Sequence, residues 1–389
     1  MFTKISASLF IAVLLGGMAF TVGAQTSSVF STGLHHPTKI ITAADSSLLV
    51  AEGGTMTPNT GRISVLDGGT GVRHTLIDGL PSGVSNLGGQ PDTDGSTGIF
   101  LRGNVLYIVS GVGDACINVG PGLELPNPAG ASSPIFDSII EVTLPGGYAS
   151  LASGFTMTLA DQTALAANTS LELTNADGNT ITVRMVANLP DYRAEPRPGA
   201  PNNVRASHLF GVEVFQKDIY VPDAAFNLIH RVDIATGAES TFATFPNRAN
   251  PAPPGGPFIE AVPDNIHRVG NRLLVPLLTG FPFRVGYSEV QTVSLKNGQH
   301  ETLIPGLTSA IDVLRVENAD GDAYYTLEFS ANQLANAPGR LRYFSSANAA
   351  PVTVVPVVIT PTSMAMDETS GDIFITNIFP GTITRVQIP

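Results

Sequence analysis

The chain of 389 residues carries 20 basic and 32 acidic side chains, for a formal net charge of −12. That balance makes nucleic acid and anionic membrane surfaces poor partners, since phosphate binding needs clustered Lys and Arg. A single cysteine, Cys116, excludes an intrachain disulfide and cysteine-based zinc or iron–sulfur sites, while 40 Gly and 29 Pro indicate many short strands joined by tight turns.

Residues 1–24 have the pattern of a cleavable signal peptide. A basic residue near the start is followed by an apolar stretch at 5–20 and by small or aliphatic residues at 22–24. The apolar stretch is shorter than the ~20 residues that span a bilayer, and no later segment is long and apolar enough to do so. We therefore expect a secreted or periplasmic protein whose mature part, residues 25–389, has no transmembrane segment.

One pair of strands recurs six times beyond this leader. The earlier strand of each pair is apolar, and the later one alternates polar and apolar residues, the period of a half-buried strand. The earlier strands are LLVAE (48–52), LYIVS (106–110), IYVPD (219–223), LLVPL (273–277), YYTLE (324–328) and IFITN (373–377). The later strands lie at 61–67, 137–144, 227–234, 288–295, 339–346 and 381–388. Such recurrence indicates a repeat architecture.

An inner and an outer strand complete each copy. The inner strands lie around Ile40, Ile99, Val212, Ile266, Val313 and Met364. The outer strands lie at 74–80, 183–189, 240–246, 301–307 and 352–358, and the missing sixth one appears at the N-terminus, at 28–34. This pattern predicts an all-β, six-bladed β-propeller closed by the N-terminal strand, which completes the last blade and leaves few exposed strand edges. A β-sandwich is the alternative, but it would not explain six copies of one strand order.

The second copy is enlarged by an insertion at about 113–205. It opens with a Gly/Pro/Asn-rich segment at 113–136, which we expect to be a loop. A helix is predicted at 159–168, and Asp177-Gly178 predicts a tight hairpin turn. We expect the long loops at 113–136, 190–208 and 279–289 to crowd one face of the propeller.

Three segments resemble the ScyD/ScyE family, exported propeller proteins named after a gene cluster for the pigment scytonemin. They are ANLPDYRAEPRPGAPNNVRASHLFGVEV (187–214), LLVPLLTGFPFRVGYSEVQTV (273–293) and PGLTSAIDVLRV (305–316). The chain departs from the family where members often have an Asn-Pro-x-Gly-Leu run, because a histidine replaces the asparagine in the first and third copies. The resemblance implies the propeller fold and an exported setting, and it carries over no catalytic residue.

The loops that enter the inner strands of a propeller lie at one mouth of its channel, where ligands usually bind. Aligning the repeats brings three sets of positions to this mouth. One residue before each inner-strand anchor stand Lys39, Gly98, Gly211, Asn265, Asp312 and Ser363. Four residues before it stand His36, Gly95, His208, Val262, Ser309 and Thr360. The strands next to the inner ones end at Glu52, Ser110, Asp223, Leu277, Glu328 and Asn377.

These positions supply candidates for a metal site and for a general base. The candidate calcium ligands, chosen for their hard oxygen donors, are Asn265, Asp312, Glu52, Asp223 and Glu328. His36 and His208 are candidates for a general base. Six-bladed propellers that hydrolyse lactones and phosphoesters use a channel calcium, an analogy at the level of the fold. The alternative is structural, because polar residues repeated at turns commonly bond local backbone N–H groups.

Lys39, Phe281 and Phe283 are the candidates for ligand contact at this face. Lys39 has the alternative role of pairing with a neighbouring acid, and the two phenylalanines that of anchoring their loop. The leading hypothesis is a platform that binds a small molecule or an extracytoplasmic protein at its channel face. A calcium-dependent lactonase- or esterase-like hydrolase is the second hypothesis, and a pure interaction scaffold is the third.

Overall fold

The computed structural model describes residues 26–43, 45–319 and 321–388. The predicted signal peptide lies outside these residues. The described residues form an all-β fold, as the sequence predicts, and contain one α-helix, α1 (Leu159–Ala166), and two short 3-10 turns at Tyr148–Ser150 and Gln333–Ala335. Within the described ranges, no helix is long and apolar enough to cross a membrane.

The strands follow one another in short segments along the chain. The first part contains β1 (Thr26–Thr32), β2 (Pro37–Thr42), β3 (Leu48–Glu52), β4 (Gly61–Leu66), β5 (Arg73–Leu80), β6 (Gly83–Ser85), β7 (Asp92–Asp94), β8 (Ser96–Arg102), β9 (Val105–Ser110), β10 (Cys116–Gly120) and β11 (Leu123–Pro126). The middle part contains β12 (Ser138–Thr143), β13 (Phe155–Thr156), β14 (Leu171–Thr174), β15 (Thr180–Asn188), β16 (Tyr192–Ala194), β17 (Val204–Ala206), β18 (Glu213–Phe215), β19 (Asp218–Asp223), β20 (Leu228–Asp233), β21 (Glu239–Thr244), β22 (Arg248–Ala249) and β23 (Phe258–Ile259). The last part contains β24 (His267–Val269), β25 (Arg272–Leu277), β26 (Ser288–Ser294), β27 (His300–Leu307), β28 (Ala310–Asn318), β29 (Gly321–Glu328), β30 (Gly339–Phe344), β31 (Val352–Val358), β32 (Pro361–Met366), β33 (Ile373–Asn377) and β34 (Thr382–Gln387).

Six antiparallel sheets contain four successive strands each, the arrangement of propeller blades. From the inner to the outer strand, they are sheet 1 (β2-β3-β4-β5), sheet 2 (β8-β9-β12-β15), sheet 3 (β18-β19-β20-β21), sheet 4 (β24-β25-β26-β27), sheet 5 (β28-β29-β30-β31) and sheet 6 (β32-β33-β34-β1). Strand β1 is therefore the outer strand of sheet 6, the position that the sequence predicts for it. Two additions extend the outer edges, β13 on sheet 1 and β14 on sheet 2.

Burial explains the two sequence patterns of the repeated strand pair. Every residue of β3, β19 and β33 is buried, because these strands lie inside their sheets and both of their faces pack against neighbours. Outer strands such as β1 and β21 are largely exposed. The core lies mainly between adjacent sheets, so that one apolar cluster joins Val109 and Ile139 of sheet 2 to Ile219 of sheet 3.

The six sheets share one turn at the entrance to the inner strand. Its carbonyl acceptors belong to His36, Gly95, His208, Val262, Ser309 and Thr360. The amide donors, at 2.7 to 3.0 Å, belong to Gly53, Gly111, Ala224, Leu278, Phe329 and Ile378, each of which follows the end of the neighbouring strand. Four of the acceptor residues have left-handed φ values between 46° and 55°, although none of the four is a glycine.

Each sheet is hydrogen-bonded to the next one near its inner strand. The bonds run from Thr38 Oγ1 to the Ser96 carbonyl, from Gly211 N to the Thr97 carbonyl, from Arg268 N to Glu213, from Asn265 Nδ2 to the Ile311 carbonyl, from Met364 N to Asp312, and from Thr362 Oγ1 to the Pro37 carbonyl. The last of these bonds joins sheet 6 to sheet 1.

The insertion folds into more regular structure than the sequence predicts. Residues 113–136 and 190–208 are not simply loops, since they contribute a four-stranded sheet of order β10-β11-β17-β16, which we call the insertion sheet. Its pairings join segments far apart in the chain, such as Glu124 with Val204, and such pairings leave no local sequence pattern. Helix α1 begins at a capping box formed by Thr158 and Asp161.

The left-handed turn residues provide a test of this repeated geometry. Thr360 has a φ of 46°, and its hydroxyl is buried without a hydrogen-bond partner among the described residues. Left-handed backbone costs a residue with a Cβ about 1–2 kcal/mol, whereas glycine loses roughly 0.5–1 kcal/mol more entropy on folding. Thr360→Gly should therefore stabilise the protein by about 1 kcal/mol, measured by urea unfolding. Thr353→Gly, in the exposed part of β31, is the control and should destabilise it; the same sign for both would contradict the account.

Candidate functional site

The predicted channel positions meet in the structure as a buried polar plug on the axis. Lys39 of sheet 1 is 2% exposed, and its Nζ lies 2.8 Å from Asn265 Oδ1 of sheet 4 and 3.8 Å from Asp312 Oδ2 of sheet 5. Ser363 of sheet 6 donates to Asp312 at 3.0 Å. We call Lys39, Asn265, Asp312 and Ser363 the axial plug.

Glycine occupies the two remaining channel positions, where the backbones of sheets 2 and 3 approach closely. A Cβ on Gly98 would lie 2.8 Å from the carbonyl carbon of Gly211. A Cβ on Gly211, whose φ is 77°, would lie 3.1 Å from Asn265 Cα. Small residues on this side of the axis leave room for the long side chain of Lys39 to cross it.

The axial plug holds a charged pair in the interior. Burial lowers the pKa of Lys39, while the charges of Asp312 and Glu213 act in the opposite direction. Burial alone would raise the pKa of Asp312, but the charges of Lys39 and His267, with hydrogen bonds from His267 and the Met364 amide, hold it down at about 2. Asp312 is therefore an ionised, fully hydrogen-bonded acceptor.

The expected calcium ligands do not converge on one point. Asn265 and Asp312 do come together, but the cation beside them is the ammonium group of Lys39. Among the described residues, no group of three or more His, Cys, Asp or Glu side chains is arranged to hold a metal ion. The described residues therefore give no support to a calcium site shared by these five residues, and the cation beside Asn265 and Asp312 belongs to the protein itself.

The other three expected ligands, Glu52, Asp223 and Glu328, serve the local turn of their own sheets. Each is fully buried and accepts a hydrogen bond from a backbone amide of the entrance turn, donated by His35, His208 and Thr308 respectively. Each also contacts a side chain of the next strand: Arg62 for Glu52, His230 for Asp223, and Arg340 with Arg342 for Glu328. These contacts match the alternative that the three residues are structural, because they bond backbone amides of local turns.

The two candidate general bases have different surroundings. His36 Nε2 lies 2.8 Å from Asp92 Oδ1 of the β6–β7 hairpin. The ring of His208 stacks on Phe210 with centroids 6.3 Å apart and lines a cleft on the same face. Of these two histidines, His208 lines a cleft that is large enough for a ligand.

The candidate ligand-contacting residues do not share a site. Lys39 is enclosed in the axial plug. Phe281 and Phe283 form an edge-to-face pair with centroids 6.0 Å apart, and Phe281 is 52% exposed. A Cβ on Gly255 would contact both Phe281 and Pro282, so this loop packs on the segment that precedes β23. The phenylalanines fit the alternative role of loop anchors.

A cleft of about 390 Å³, which we call the upper cleft, lies between the insertion sheet and the top of sheet 3. Its apolar wall includes Leu87, Ala206, Ala224, Ala225 and Val262. Its polar wall includes Glu124, Glu195, Arg197, Arg205, Ser207, His208 and Glu260. Three glutamates face two arginines here, so the cleft carries one net negative charge when its histidine is neutral.

The arginines of the upper cleft are already paired. Arg205 lies 2.6 Å from Glu260 and 3.6 Å from Glu195, and Arg197 lies 2.7 Å from Glu195. Because these pairs satisfy both guanidinium groups, the cleft offers little attraction to an anion. It favours a neutral or positively charged ligand with an apolar body.

Four aspartates lie close to one another behind the cleft, and burial with their mutual repulsion favours the protonated form of three of them. Burial raises the pKa of Asp137 well above its usual range, and Asp223, Asp191 and Asp94 raise it further. Both carboxyl oxygens of Asp137 are buried with no hydrogen-bond partner among the described residues. Burial also raises the pKa of Asp94, against the charge of His208, and that of Asp191 to about 6.

Most residues of this cleft have no distinguishing signal in the sequence. Arg205 and Glu195 lie in the segment 190–208, which the sequence predicts to be a loop, Glu260 lies in a segment without a predicted role, and Asp137 stands at the start of a repeated strand. A pair of acidic and basic residues within 195–205 was the only available signal, and it is too common to identify a site. The partners come from the insertion sheet and from the segment after β23.

The axial plug predicts that replacing Lys39 lowers the free energy of unfolding much more than replacing an exposed lysine does. Breaking a buried ion pair by removing one partner costs roughly 3–5 kcal/mol, so Lys39→Met should lower the free energy of unfolding by about 3 kcal/mol. The matched control is Lys217→Met, since Lys217 pairs with Asp233 at 2.7 Å but its side chain is 70% exposed. Urea unfolding measures both variants, and similar small losses would contradict the role of Lys39.

The buried aspartates predict a decrease in stability as the pH rises. A carboxyl whose pKa is raised on folding stabilises the protein fully below its unfolded pKa of about 3.9, and this contribution is lost as pH rises through the folded value. For Asp191 and Asp137 the loss extends from about pH 4 to pH 6 and above. Asp137→Asn removes the ionisation, so its melting temperature should exceed that of the wild type more at pH 8 than at pH 5.

Glu172→Gln is the control for that comparison, because it changes the charge equally at an exposed position of β14. It should shift the melting temperature little at either pH. A gain for Asp137→Asn that is the same at pH 5 and pH 8 would show that the carboxyl of Asp137 does not ionise in this range.

No family model matches the sequence, and no curated protein matches it. The chain is similar in structure to virginiamycin B lyase from Staphylococcus aureus, with 15% identity, a TM-score of 0.46 and coverage of 94% of this chain and 99% of that one. It is also similar to a gluconolactonase from Xanthomonas campestris, with 11% identity, a TM-score of 0.49 and coverage of 95% and 91%. Similarities at this level carry no argument about ligand or activity, so the fold assignment depends on the sheet order itself.

Proposed function

We propose that this chain is an exported six-bladed β-propeller of the ScyD/ScyE type that binds a small molecule in the upper cleft. Six sheets with one strand order, six copies of the entrance turn, and hydrogen bonds from sheet 6 back to sheet 1 support the blade number and closure. The signal-peptide pattern of residues 1–24 supports export, and the three family-like segments support the family.

The proposed class of ligand is inferred from the charge and the shape of the upper cleft. Its volume of about 390 Å³ is at the lower end of the range for small-molecule sites. The paired arginines and the unmatched acidic charge disfavour anions, and Ala224, Ala225 and Val262 provide an apolar surface. The ligand class that fits both features is a compact compound with an apolar ring and a positively charged group.

No observation on the described residues favours the calcium-dependent hydrolase, since the ammonium of Lys39 lies beside the oxygens of Asn265 and Asp312. Experiment can distinguish a protein partner from a small molecule. The binding of a protein that docks on this face would not depend on whether the cleft is filled.

The test compares compounds that share one aromatic ring and carry side chains of similar size but opposite charge. Tyramine should raise the melting temperature in a saturable way, whereas 4-hydroxyphenylacetate, which carries the opposite charge on the same ring, should not. The physical reason is that a ligand bound only by the native state stabilises it by RT ln(1 + [L]/Kd), about 2.7 kcal/mol at a hundredfold excess over Kd. The corresponding indole pair, tryptamine and indole-3-acetate, should behave in the same way.

A variant locates the effect. Ala225→Trp places a large side chain in the cleft and should abolish the shift, whereas Ala350→Trp, at an exposed position, should retain it. A shift that survives Ala225→Trp would place the ligand elsewhere. Equal shifts with the amine and the acid would overturn the argument from charge.

A further inference from the structure

The end of the molecule that carries the entrance turns also carries a group of exposed apolar side chains. They lie in segments that join one strand to the next at this end, in sheets 1, 4, 5 and 6 and just before sheet 4. Each is more than half exposed, and we call them the apolar tips: Met56, Phe258, Phe281, Val285, Leu334 and Phe379. Because hydrogen bonds join sheets 4, 5, 6 and 1 in that order, the apolar tips share one side of this end.

The segments that bear the apolar tips are almost free of charge. No Asp, Glu, Lys or Arg occurs in residues 53–60, 249–259, 329–338 and 378–381. In the fifth segment, 278–287, the one such residue is Arg284, whose guanidinium donates to Asn250 Oδ1 at 2.6 Å and to the carbonyls of Ala252 and Pro253. Single exposed apolar residues are ordinary on a protein surface. Their collection in uncharged segments of a chain with a net charge of −12 indicates an interaction surface.

The opposite end of sheets 1 and 6 is acidic instead. The segments that join strands there carry Asp45 and Asp67 on sheet 1, and Asp367 and Glu368 on sheet 6. The upper cleft, at the entrance-turn end, carries the paired charges of the insertion and of its neighbours. The uncharged apolar segments therefore lie on one side of one end, and they define the direction from which a partner approaches.

The arrangement of the apolar tips fits a lipid bilayer better than a protein. A protein partner needs one continuous surface that packs at the density of a protein interior, whereas the apolar tips come from separate segments of four sheets. A fluid lipid interface adapts to separate side chains, and each adds to the attachment in proportion to the apolar area that it buries. An uncharged surface on an acidic chain also favours headgroups without net negative charge.

We propose that the apolar tips attach the protein to the surface of a bilayer of zwitterionic lipids. The entrance-turn end faces the membrane, and the acidic end of sheets 1 and 6 faces away from it. The attachment is peripheral, since only the apolar tips enter the interface between headgroups and acyl chains. This proposal does not depend on the ligand of the upper cleft, because none of the apolar tips lines that cleft.

The test measures how much of the mature protein, residues 25–389, sediments together with phosphatidylcholine vesicles. The bound fraction should rise with lipid concentration until it saturates. It should fall when phosphatidylglycerol replaces part of the phosphatidylcholine, because anionic headgroups repel a chain with excess acidic charge.

A triple variant removes three of the apolar tips that are well exposed. It combines Phe258→Ser, Val285→Ser and Phe379→Ser, at positions that are 57% to 61% exposed. The partition coefficient should fall about tenfold or more, because each apolar side chain that enters the interface adds its own free energy of transfer.

A second triple variant is the matched control. It combines Val29→Ser and Val352→Ser, in the outer strands β1 and β31, with Val72→Ser at the acidic end, and these positions are 62% to 68% exposed. The partition coefficient should stay unchanged, although as many exposed apolar side chains are lost. Circular dichroism and the melting temperature verify that both triple variants fold.

An introduced tryptophan reads the orientation on the vesicle, because the chain has no tryptophan of its own. In Phe379→Trp the emission should shift to shorter wavelength on addition of phosphatidylcholine vesicles, and brominated phosphatidylcholine should quench it. In Val72→Trp, at the acidic end, neither change should occur.

Four results would overturn the proposal: no sedimentation with phosphatidylcholine vesicles, a requirement for anionic lipid, equal losses in the two triple variants, or a shift in Val72→Trp in place of Phe379→Trp. A second copy of the chain is the competing occupant of this surface. Sedimentation velocity without vesicles should give one mass for the wild type and for both triple variants. A dimer that only the first triple variant dissociates would assign the surface to self-association and also overturn the proposal.

Discussion

The ammonium group of Lys39 is the interaction on which the centre of the molecule depends. Six inner strands converge on one axis, where side chains are cut off from water, and a buried charge is tolerated there only if it is paired. Lys39 reaches from sheet 1 to Asn265 on the opposite side and lies beside Asp312. Asn265 in turn donates to the carbonyls of Ile311 and Thr362, so a single cation connects four of the six sheets.

The axial plug also divides the channel into two chemically different ends. The upper cleft is lined by the insertion sheet and carries excess acidic charge, whereas a second cleft, of about 550 Å³, is lined by residues of β2, β28 and β32 that include aliphatic side chains, His267 and charges of both signs. Asp312 contacts residues at both ends, because one of its oxygens faces His267 and the other lies towards Lys39. A change at this carboxylate therefore alters the surroundings of Lys39 and of His267 together.

The sequence predicted the positions at the axis better than their chemistry. Aligning the repeats selected Lys39, Asn265, Asp312 and Ser363 as one set, and the structure brings these four together. Of the candidate calcium ligands, Asn265 and Asp312 come together beside the ammonium of Lys39, whereas Glu52, Asp223 and Glu328 bond the turns of their own sheets. His267 was overlooked, since it stands two residues beyond Asn265 in an inner strand and nothing local indicates that its partner is Asp312.

The sequence by itself determined the strands, their sixfold order and the position of the N-terminal strand, because alternation of apolar and polar residues is a local property that each copy repeats. The tertiary structure alone decided which side chains meet. Lys39 and Asn265 are 226 positions apart, and His267 and Asp312 are 45 apart. The insertion sheet likewise pairs Glu124 with Val204. Contacts of this kind depend on how the sheets place their inner strands relative to one another and on how an irregular insertion folds back, and neither leaves a periodic signal in the chain.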